Sequence, residues 1–268
     1  MTYFICETCG AQYGESAEPP AACKICEDER QYVGAEGQRW TTLGELRGRL
    51  RPEIREEEPS LLGLGTEPGF AIGQRALLVQ APSGNILWDC ITLLDDEIGA
   101  RVEEAGGIAA IAISHPHYYG SLVEWARAFD APVYLHGSDR EWVTRADERI
   151  VHWDEETLEL GPGLTLLRLG GHFAGGTVLH WAAGAEGRGA LLSGDIVQVV
   201  PDRGWVSFMY SYPNLIPLPA KEVRRIAETL EPWAFDRIWG AWWDRVVREG
   251  GKDAVRRSAE RYVRMLET

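Results

Sequence analysis

An apolar run that ends in two histidines constrains the fold of this chain more than any other stretch. Residues 111–120 read I-A-I-S-H-P-H-Y-Y-G. Residues two apart in an extended strand project to the same side, so His115 and His117 can turn both imidazoles towards one ion. Pro116 helps, because it restricts the residue before it to extended conformations. Two neighbouring histidines do not by themselves define a site, so further ligands have to be found elsewhere in the chain.

Two later strand ends supply them. Leu169-Gly-Gly-His172 places a third histidine in a glycine-rich turn after a predicted strand. Leu191-Leu-Ser-Gly-Asp195 places a carboxylate behind a glycine at the end of another. Since α/β proteins build their sites at strand ends, these side chains together predict one metal site. The remaining histidines are expected in other roles, His136 in capping or at the surface, and His152 and His180 as hydrogen-bonded core residues.

The pattern around these motifs predicts a layered α/β domain from about residue 68. Short apolar runs and amphipathic stretches alternate along it, as strands and helices do. Strands are predicted at 76–80 and 85–89 (a hairpin), 108–114, 132–135, 164–169, 176–181, 190–193 and 237–240, and helices at 95–105, 121–129, 220–230 and 253–266.

The N-terminal residues 1–36 form a part of a different kind. They contain two C-x-x-C pairs separated by 13 residues, and these pairs are Cys6 with Cys9 and Cys23 with Cys26. The spacer, rich in Gly, Ala, Glu and Pro, cannot assemble an apolar core. Four thiolates around one Zn²⁺ would make metal binding part of folding. We therefore predict a structural zinc ribbon rather than a redox pair or two unrelated motifs.

Residues 37–67 are predicted to be a solvated linker or surface arm. The segment 51–59, R-P-E-I-R-E-E-E-P, combines two prolines with like charges, both of which disfavour regular structure. The predicted organisation is therefore a zinc ribbon at 1–36, a linker at 37–67 and an α/β domain at 68–268.

Composition limits the class of protein. With 45% hydrophobic residues among 268, the chain can bury a substantial core. A formal net charge of −14 argues against binding to nucleic acid, because phosphate backbones require a basic surface. No apolar run of about 18 residues is present, so no membrane span is expected. The N-terminus has no secretory signal pattern, so a cytoplasmic protein is expected.

The order of the motifs resembles the metallo-β-lactamase superfamily from about residue 70 to 243. The family pattern is an apolar strand with H-x-H, then G-G-H, then S-G-D. This resemblance implies a four-layer αββα sandwich with a metal site at one edge of its two sheets. It implies that His115, His117 and His172 bind the first metal, and that Asp89 supports the first histidine from behind. The first cysteine pair, in C-E-T-C-G-A-Q-Y, is also similar to a knuckle of the iron protein rubredoxin, but the second pair lacks the matching Cys-Gly and favours zinc.

The chain departs from the family pattern at the second metal. The family motif is H-x-H-x-D-H, and its Asp and last His correspond here to Tyr119 and Gly120. A later family histidine corresponds to Ala241 or Trp242. Of the second-metal ligands only Asp195 is left, which in the family bridges both metals. We therefore expect one metal here, not two.

Three imidazoles and the Asp195 carboxylate suit a divalent zinc ion, which can lower the pKa of a bound water to about 7. Asp195 either binds the ion or orients that water. A triad of His115, His172 and Asp195 would instead suit Fe²⁺ and oxygen chemistry, and zinc is preferred over iron. The phenol of Tyr119 either donates a hydrogen bond to a developing oxyanion or fills the space of the missing second metal.

The function expected from the resemblance is a metal-dependent hydrolase with a single-metal site. Its substrate would be a small molecule of the ester, thioester or lactone type. Two alternatives remain open. One is a mononuclear iron oxygenase acting on a thiol, and the other is a non-catalytic protein with a degenerate site whose zinc ribbon binds a protein partner.

Overall fold

The N-terminus forms a small three-stranded antiparallel sheet whose middle strand ends at Cys6, and the other three cysteines lie in the loops between its strands. These strands are β1 (Thr2–Cys6), β2 (Gln12–Ser16) and β3 (Trp40–Thr41). Helix α1 (Leu43–Arg47) follows, and its start is fixed by a capping box between Thr42 and Glu45. The computed structural model describes all residues, 1–268, and forms two compact units, Met1–Trp153 and Asp154–Thr268.

The first unit is built on a seven-stranded mixed sheet with the order β10-β9-β8-β7-β6-β5-β4. The strands are β4 (Arg51–Glu58), β5 (Leu61–Glu67), β6 (Ala76–Val79), β7 (Ile86–Trp88), β8 (Ala110–Ala112), β9 (Val133–His136) and β10 (Ile150–Trp153). Its helices are α2 (Asp96–Glu104), α3 (Leu122–Ala128) and the 3₁₀ turns Pro116–Tyr118 and Gly137–Trp142. The strands β7 to β10 are parallel, so their carboxyl ends lie at one edge, where Asp89 follows β7 and where His115 and His117 follow β8.

The predicted linker is wrong for residues 51–67, which form the antiparallel hairpin β4–β5 at the edge of this sheet. The charges of β4 are those of an edge strand with one solvated face, whereas Leu61, Leu62 and Leu64 of β5 are buried. The compact units also divide the chain at a different place from the predicted boundaries at 36 and 67. Those boundaries stay a prediction about parts that fold on their own.

The second unit contains a six-stranded sheet with the order β11-β12-β13-β14-β19-β20. The six strands of this sheet are β11 (Thr157–Gly161), β12 (Leu164–Arg168), β13 (Thr177–Trp181), β14 (Ala190–Gly194), β19 (Arg237–Gly240) and β20 (Val246–Val247). Two separate hairpins lie between β14 and β19 in the chain: β15 (Gln198–Val199) pairs with β16 (Val206–Ser207), and β17 (Met209–Ser211) pairs with β18 (Ile216–Pro217). Its helices are the single turn α4 (Gly184–Gly187), α5 (Ala220–Leu230) and α6 (Gly251–Leu266).

Helices α5 and α6 bury their apolar sides in the core of the second unit. Val223 and Ile226 of α5 and Val255 of α6 lie in one cluster with the buried side chains of the sheet. The predicted bounds of α5 and β19 agree with the structure, because a helical periodicity and a short apolar run mark them clearly. None of the helices combines the length and apolar composition that crossing a bilayer requires.

Candidate metal centres

The four N-terminal cysteines form the first candidate centre. The sulfurs of Cys6 and Cys26 lie 3.5 Å apart, and those of Cys9 and Cys23 lie 3.6 Å apart. All four are buried thiols without a disulfide, and their sulfurs lie within 4.8 Å of one another. Four sulfurs held roughly 2.3 Å from a central zinc at tetrahedral corners would be roughly 3.8 Å apart. The cluster therefore fits a tetrahedral metal ion.

The chemistry of these thiols agrees with the geometry. Each knuckle closes a turn, with the Gly10 amide donating to the Cys6 carbonyl over 2.8 Å and the Glu27 amide to the Cys23 carbonyl over 3.0 Å. Hydrogen bonds from the neighbouring thiols, that of Cys23 first, lower the pKa of Cys6 well below its usual range. A cluster that already favours one thiolate is a ready ligand for a cation.

His115 and His117 are brought together by a turn rather than by a continuing strand. His115 is extended, with φ −173° and ψ 174°, as its position before a proline requires. The prediction that strand alternation aligns both histidines is wrong for His117, because Pro116 begins a 3₁₀ turn that contains it. The two buried imidazoles still approach each other, with ring centroids 5.1 Å apart.

Asp89 lies behind this turn, at the end of β7. Its carboxylate accepts the amide of Ser114 over 2.8 Å, and the Ser114 hydroxyl lies 3.0 Å from Nδ1 of His115. The support expected from Asp89 therefore reaches His115 through Ser114, a residue that the sequence analysis did not single out. Burial raises the pKa of Asp89 to about 7. A buried carboxylate of this kind becomes easier to ionise when a cation is nearby.

Tyr119 and Gly120 occupy the positions of the missing second-metal ligands. The buried phenol of Tyr119 donates to the carbonyl of Asp139 over 3.4 Å, a contact that favours a packing role. Gly120 has φ +49°, and a Cβ placed there would lie 3.0 Å from the carbonyl oxygen of Ile91. A histidine at this position would meet both backbone strain and a steric conflict.

His172 is held by a backbone carbonyl. Gly170 and Gly171 precede it with φ +61° and +84°, which lets the chain turn sharply after β12. Its Nδ1 lies 2.7 Å from the carbonyl oxygen of Tyr210. Since a carbonyl only accepts, Nδ1 carries the proton, and Nε2 of a neutral ring keeps its lone pair for a metal.

Asp195 follows β14 directly and is buried. The hydroxyl of Tyr212 donates to its backbone carbonyl over 2.7 Å, and the Tyr212 ring lies 5.7 Å from that of His172. Tyr210 and Tyr212 were not recognised in the sequence, because support through a backbone carbonyl leaves no motif.

Within the first unit the structure brings together the four cysteines and, separately, His115 and His117, two of the three histidines predicted to bind one metal ion. Two of the remaining histidines behave as expected. His136 accepts the amide of Ser138 as a cap, and Nε2 of His180 lies 2.8 Å from the Ala234 carbonyl in the core.

Comparisons of sequence agree with the motif order. The family model described as the metallo-beta-lactamase superfamily matches residues 71–248. A relative from Bacillus subtilis (strain 168), the uncharacterized protein YmaE, is 54% identical over 268 residues, which cover 99% of this chain and 97% of that protein.

Comparisons of structure agree as well. A B3 metallo-beta-lactamase with an active-site glutamic acid is 18% identical with a TM-score of 0.55, over 85% of this chain and 94% of that one. The metallo-beta-lactamase of Cronobacter sakazakii is 16% identical with a TM-score of 0.53, over 80% and 92% of the two chains. The TMB-1 structure is 11% identical with a TM-score of 0.59, over 81% of this chain and 99% of that one. The expected α/β fold class is confirmed, and the chain belongs to the metallo-β-lactamase superfamily, a family with a metal-dependent hydrolase fold.

Proposed function

We propose that the protein is a hydrolase with one metal ion at His115, His117 and His172, and that it acts on a small ester, thioester or lactone. The observation that carries the proposal is the hydrogen bond from Nδ1 of His172 to the Tyr210 carbonyl, which presents Nε2 as a ligand. Zinc is the preferred ion, because three neutral imidazoles with an open position are a known catalytic zinc arrangement.

The environment of Gly120 supports one ion rather than two. The second ion of the family needs a histidine at this position, and the Ile91 backbone together with φ +49° leaves no room for one. Tyr119, at the position of the family aspartate, is a neutral phenol, since burial raises its pKa well above the usual value. It supplies no negative charge for a second cation.

A divalent ion bound here would supply Lewis-acid and water-activating chemistry. His115, His117 and His172 would hold that ion, and the burial of these three side chains and of Asp195 would exclude bulk water from it. We assign to the Asp195 carboxylate the task of orienting the attacking water, or of completing the coordination of the ion. The contact of the Tyr119 phenol with the Asp139 carbonyl favours a packing role over donation of a hydrogen bond to the developing oxyanion.

The four cysteines hold a second, structural zinc in this proposal. Their sulfur separations fit a tetrahedral ion, and no open position is left for a substrate. The expected partner of the protein is its small-molecule substrate.

Element analysis of anaerobically purified protein tests the proposal. We expect about two metals per chain, one lost in Cys6→Ser and the other lost in His172→Ala. His180→Ala is the matched control, since it removes a histidine bonded to a carbonyl in the same unit and should keep both metals. A wild type that carries only the ribbon metal would overturn the proposal. Iron at the histidine site would instead call for an assay of oxygen uptake with small thiols.

Hydrolysis itself is then assayed on a panel of small esters, thioesters and lactones, with protein that carries both the ribbon metal and the metal at the histidines. His172→Ala should lose the activity together with its metal, whereas His180→Ala should keep it. A protein that binds both metals and hydrolyses none of the three classes would refute the substrate assignment but not the metal site.

A further inference from the structure

We infer that the zinc ribbon is a positioning element of the histidine site: its first knuckle is bonded to the turn that carries His117, so the ribbon sets the metal affinity of that site. The inference rests on the proposed function, because it needs a metal at the histidines. It assigns the ribbon an intramolecular role in place of partner binding.

The most direct contact joins two backbone groups. The amide of Gln12 donates to the carbonyl of Gly120 over 2.9 Å. Gln12 lies three residues after Cys9, and Gly120 lies three residues after His117. The bond therefore connects a residue beside one candidate metal centre to a residue beside the other.

Thr92 makes a second connection between the same elements. Its hydroxyl donates to the carbonyl of Gly10 over 3.0 Å, and its own carbonyl accepts the hydroxyl of Ser121 over 2.8 Å. Thr92 is buried, and the fit is close, because a Cβ on Gly10 would lie 2.5 Å from the Thr92 hydroxyl. A displacement of Gly10 is therefore expected to disturb the hydrogen bond between Thr92 and Ser121.

The segment around Thr144 fixes the knuckle from another direction. The Thr144 hydroxyl donates to the Gln12 carbonyl over 2.7 Å, and the Gly14 amide donates to the Thr144 carbonyl over 3.1 Å. Lys24, between the cysteines of the second pair, donates to the carbonyl of Val143 over 3.1 Å. Both knuckles are thus bonded to the body of the unit.

These bonds give the two metal centres a shared energetic dependence. Ordering the turn that holds His117 costs conformational entropy when the metal binds. A folded ribbon lowers this entropy cost, because its hydrogen bonds already order the turn before the metal binds. Loss of the ribbon metal frees Gly10 and Gln12, since metal binding is part of the folding of such a small segment. Linkage then requires that the ribbon metal strengthens binding at the histidines, and that the reverse also holds.

Thr92→Val and Thr92→Ser form a matched pair that tests this without touching a metal ligand. Valine keeps the shape but removes the hydrogen bond to Gly10, whereas serine keeps the hydroxyl. With the ribbon metal present in both, the affinity of the histidine site for Zn²⁺ is measured by competition with a chelator. We expect it to be about five-fold weaker in the valine variant and close to wild type in the serine variant. Co²⁺ at the histidine site gives a second readout, an altered d–d spectrum in the valine variant only.

Cys26→Ser removes the ribbon metal itself and should weaken Zn²⁺ binding at the histidines at least ten-fold, a larger effect than that of Thr92→Val. If that variant does not fold, the Thr92 pair decides alone. Equal Zn²⁺ affinity in Thr92→Val and wild type would overturn the inference. Failure of the wild type to bind any metal at the histidines would overturn the proposed function instead, so the two failures are distinct.

Discussion

The hydroxyl of Tyr212 donates to the backbone carbonyl of Asp195 over 2.7 Å, while its ring lies 5.7 Å from that of His172. Two residues earlier, the carbonyl of Tyr210 accepts Nδ1–H of His172. The short strand β17 and the residue after it therefore support both candidate ligand residues of the second unit. This arrangement makes Tyr212 a positioning residue, so we expect loss of its hydroxyl to weaken metal binding at the histidines.

Tyr212→Phe should weaken Zn²⁺ binding at the histidines about five- to ten-fold and lower the free energy of unfolding by about 1–2 kcal/mol, because the Asp195 carbonyl loses a buried donor. Tyr262→Phe is the control, since that phenol accepts the Leu218 amide and is bonded to neither ligand. It should lower stability by a similar amount and leave the affinity unchanged. Equal losses of affinity in both variants would show a general effect of core disruption.

Gly120→Ala tests why the second-metal histidine is absent. Adding a Cβ should cost about 2–3 kcal/mol of unfolding free energy, since φ is +49° and the Ile91 carbonyl lies 3.0 Å away. Gly73→Ala shares the positive φ, at +71°, but meets nothing within 4 Å, and should cost only about 1 kcal/mol. Urea unfolding of both variants measures the difference, and equal costs would refute the steric argument.

Asp89→Asn should change the pH dependence of stability. Burial raises the pKa of Asp89 from its ordinary 3.8 to about 7, so the folded state holds this proton more tightly than the unfolded state. The stability contributed by the protonated form is fully present below about pH 4 and is lost as pH rises through about 7. Asparagine keeps an acceptor for Ser114 and tolerates the φ of +60° at this position.

The comparison is made by urea unfolding of wild type and Asp89→Asn in the same metal state. The two should be similar near pH 4, and the variant should be more stable near pH 8, by up to about 4 kcal/mol. A metal at the histidines would reduce this gap, because it favours the carboxylate. A difference between the proteins that does not change with pH would contradict the prediction.

Tyr119→Phe separates the two roles of that phenol. If Tyr119 packs against Asp139, kcat should stay within about two-fold of wild type, because the 3.4 Å hydrogen bond is long and ends on a carbonyl. A donor to a developing oxyanion would cost on the order of 10²-fold or more in kcat, at nearly unchanged KM. Steady-state kinetics on whichever substrate the panel identifies give the answer.

Much of the fold could be predicted because its signals are local. The helix α5 and the strand β19 follow from periodicity and from short apolar runs. The β4–β5 hairpin could not, because R-P-E-I-R-E-E-E has the same composition whether it is a solvated edge strand or an arm. What distinguishes the two is pairing with β5, which is a tertiary contact.

The candidate ligands could also be predicted, since Cys, His and Asp at strand ends and in C-x-x-C pairs are residue types that chemistry requires. Their supports could not. The Tyr210 carbonyl, the Gln12 amide and the Gly120 carbonyl are backbone groups, and almost any residue type at these positions would supply them. The 3₁₀ turn at His117 was hidden for a related reason, because Pro116 favours both an extended residue before it and a helical turn after it.

The hairpin β4–β5 has a consequence for anyone who wishes to produce a smaller version of the protein. The span that matches the family, residues 71–248, leaves out both strands of this hairpin and all of α6. A fragment cut at those limits would turn β6, whose residues are all buried, into an open and apolar sheet edge. It would also uncover the apolar cluster beneath Val255 and Val263. We expect such a fragment to aggregate, so the family-sized core of this chain is not its smallest folding unit.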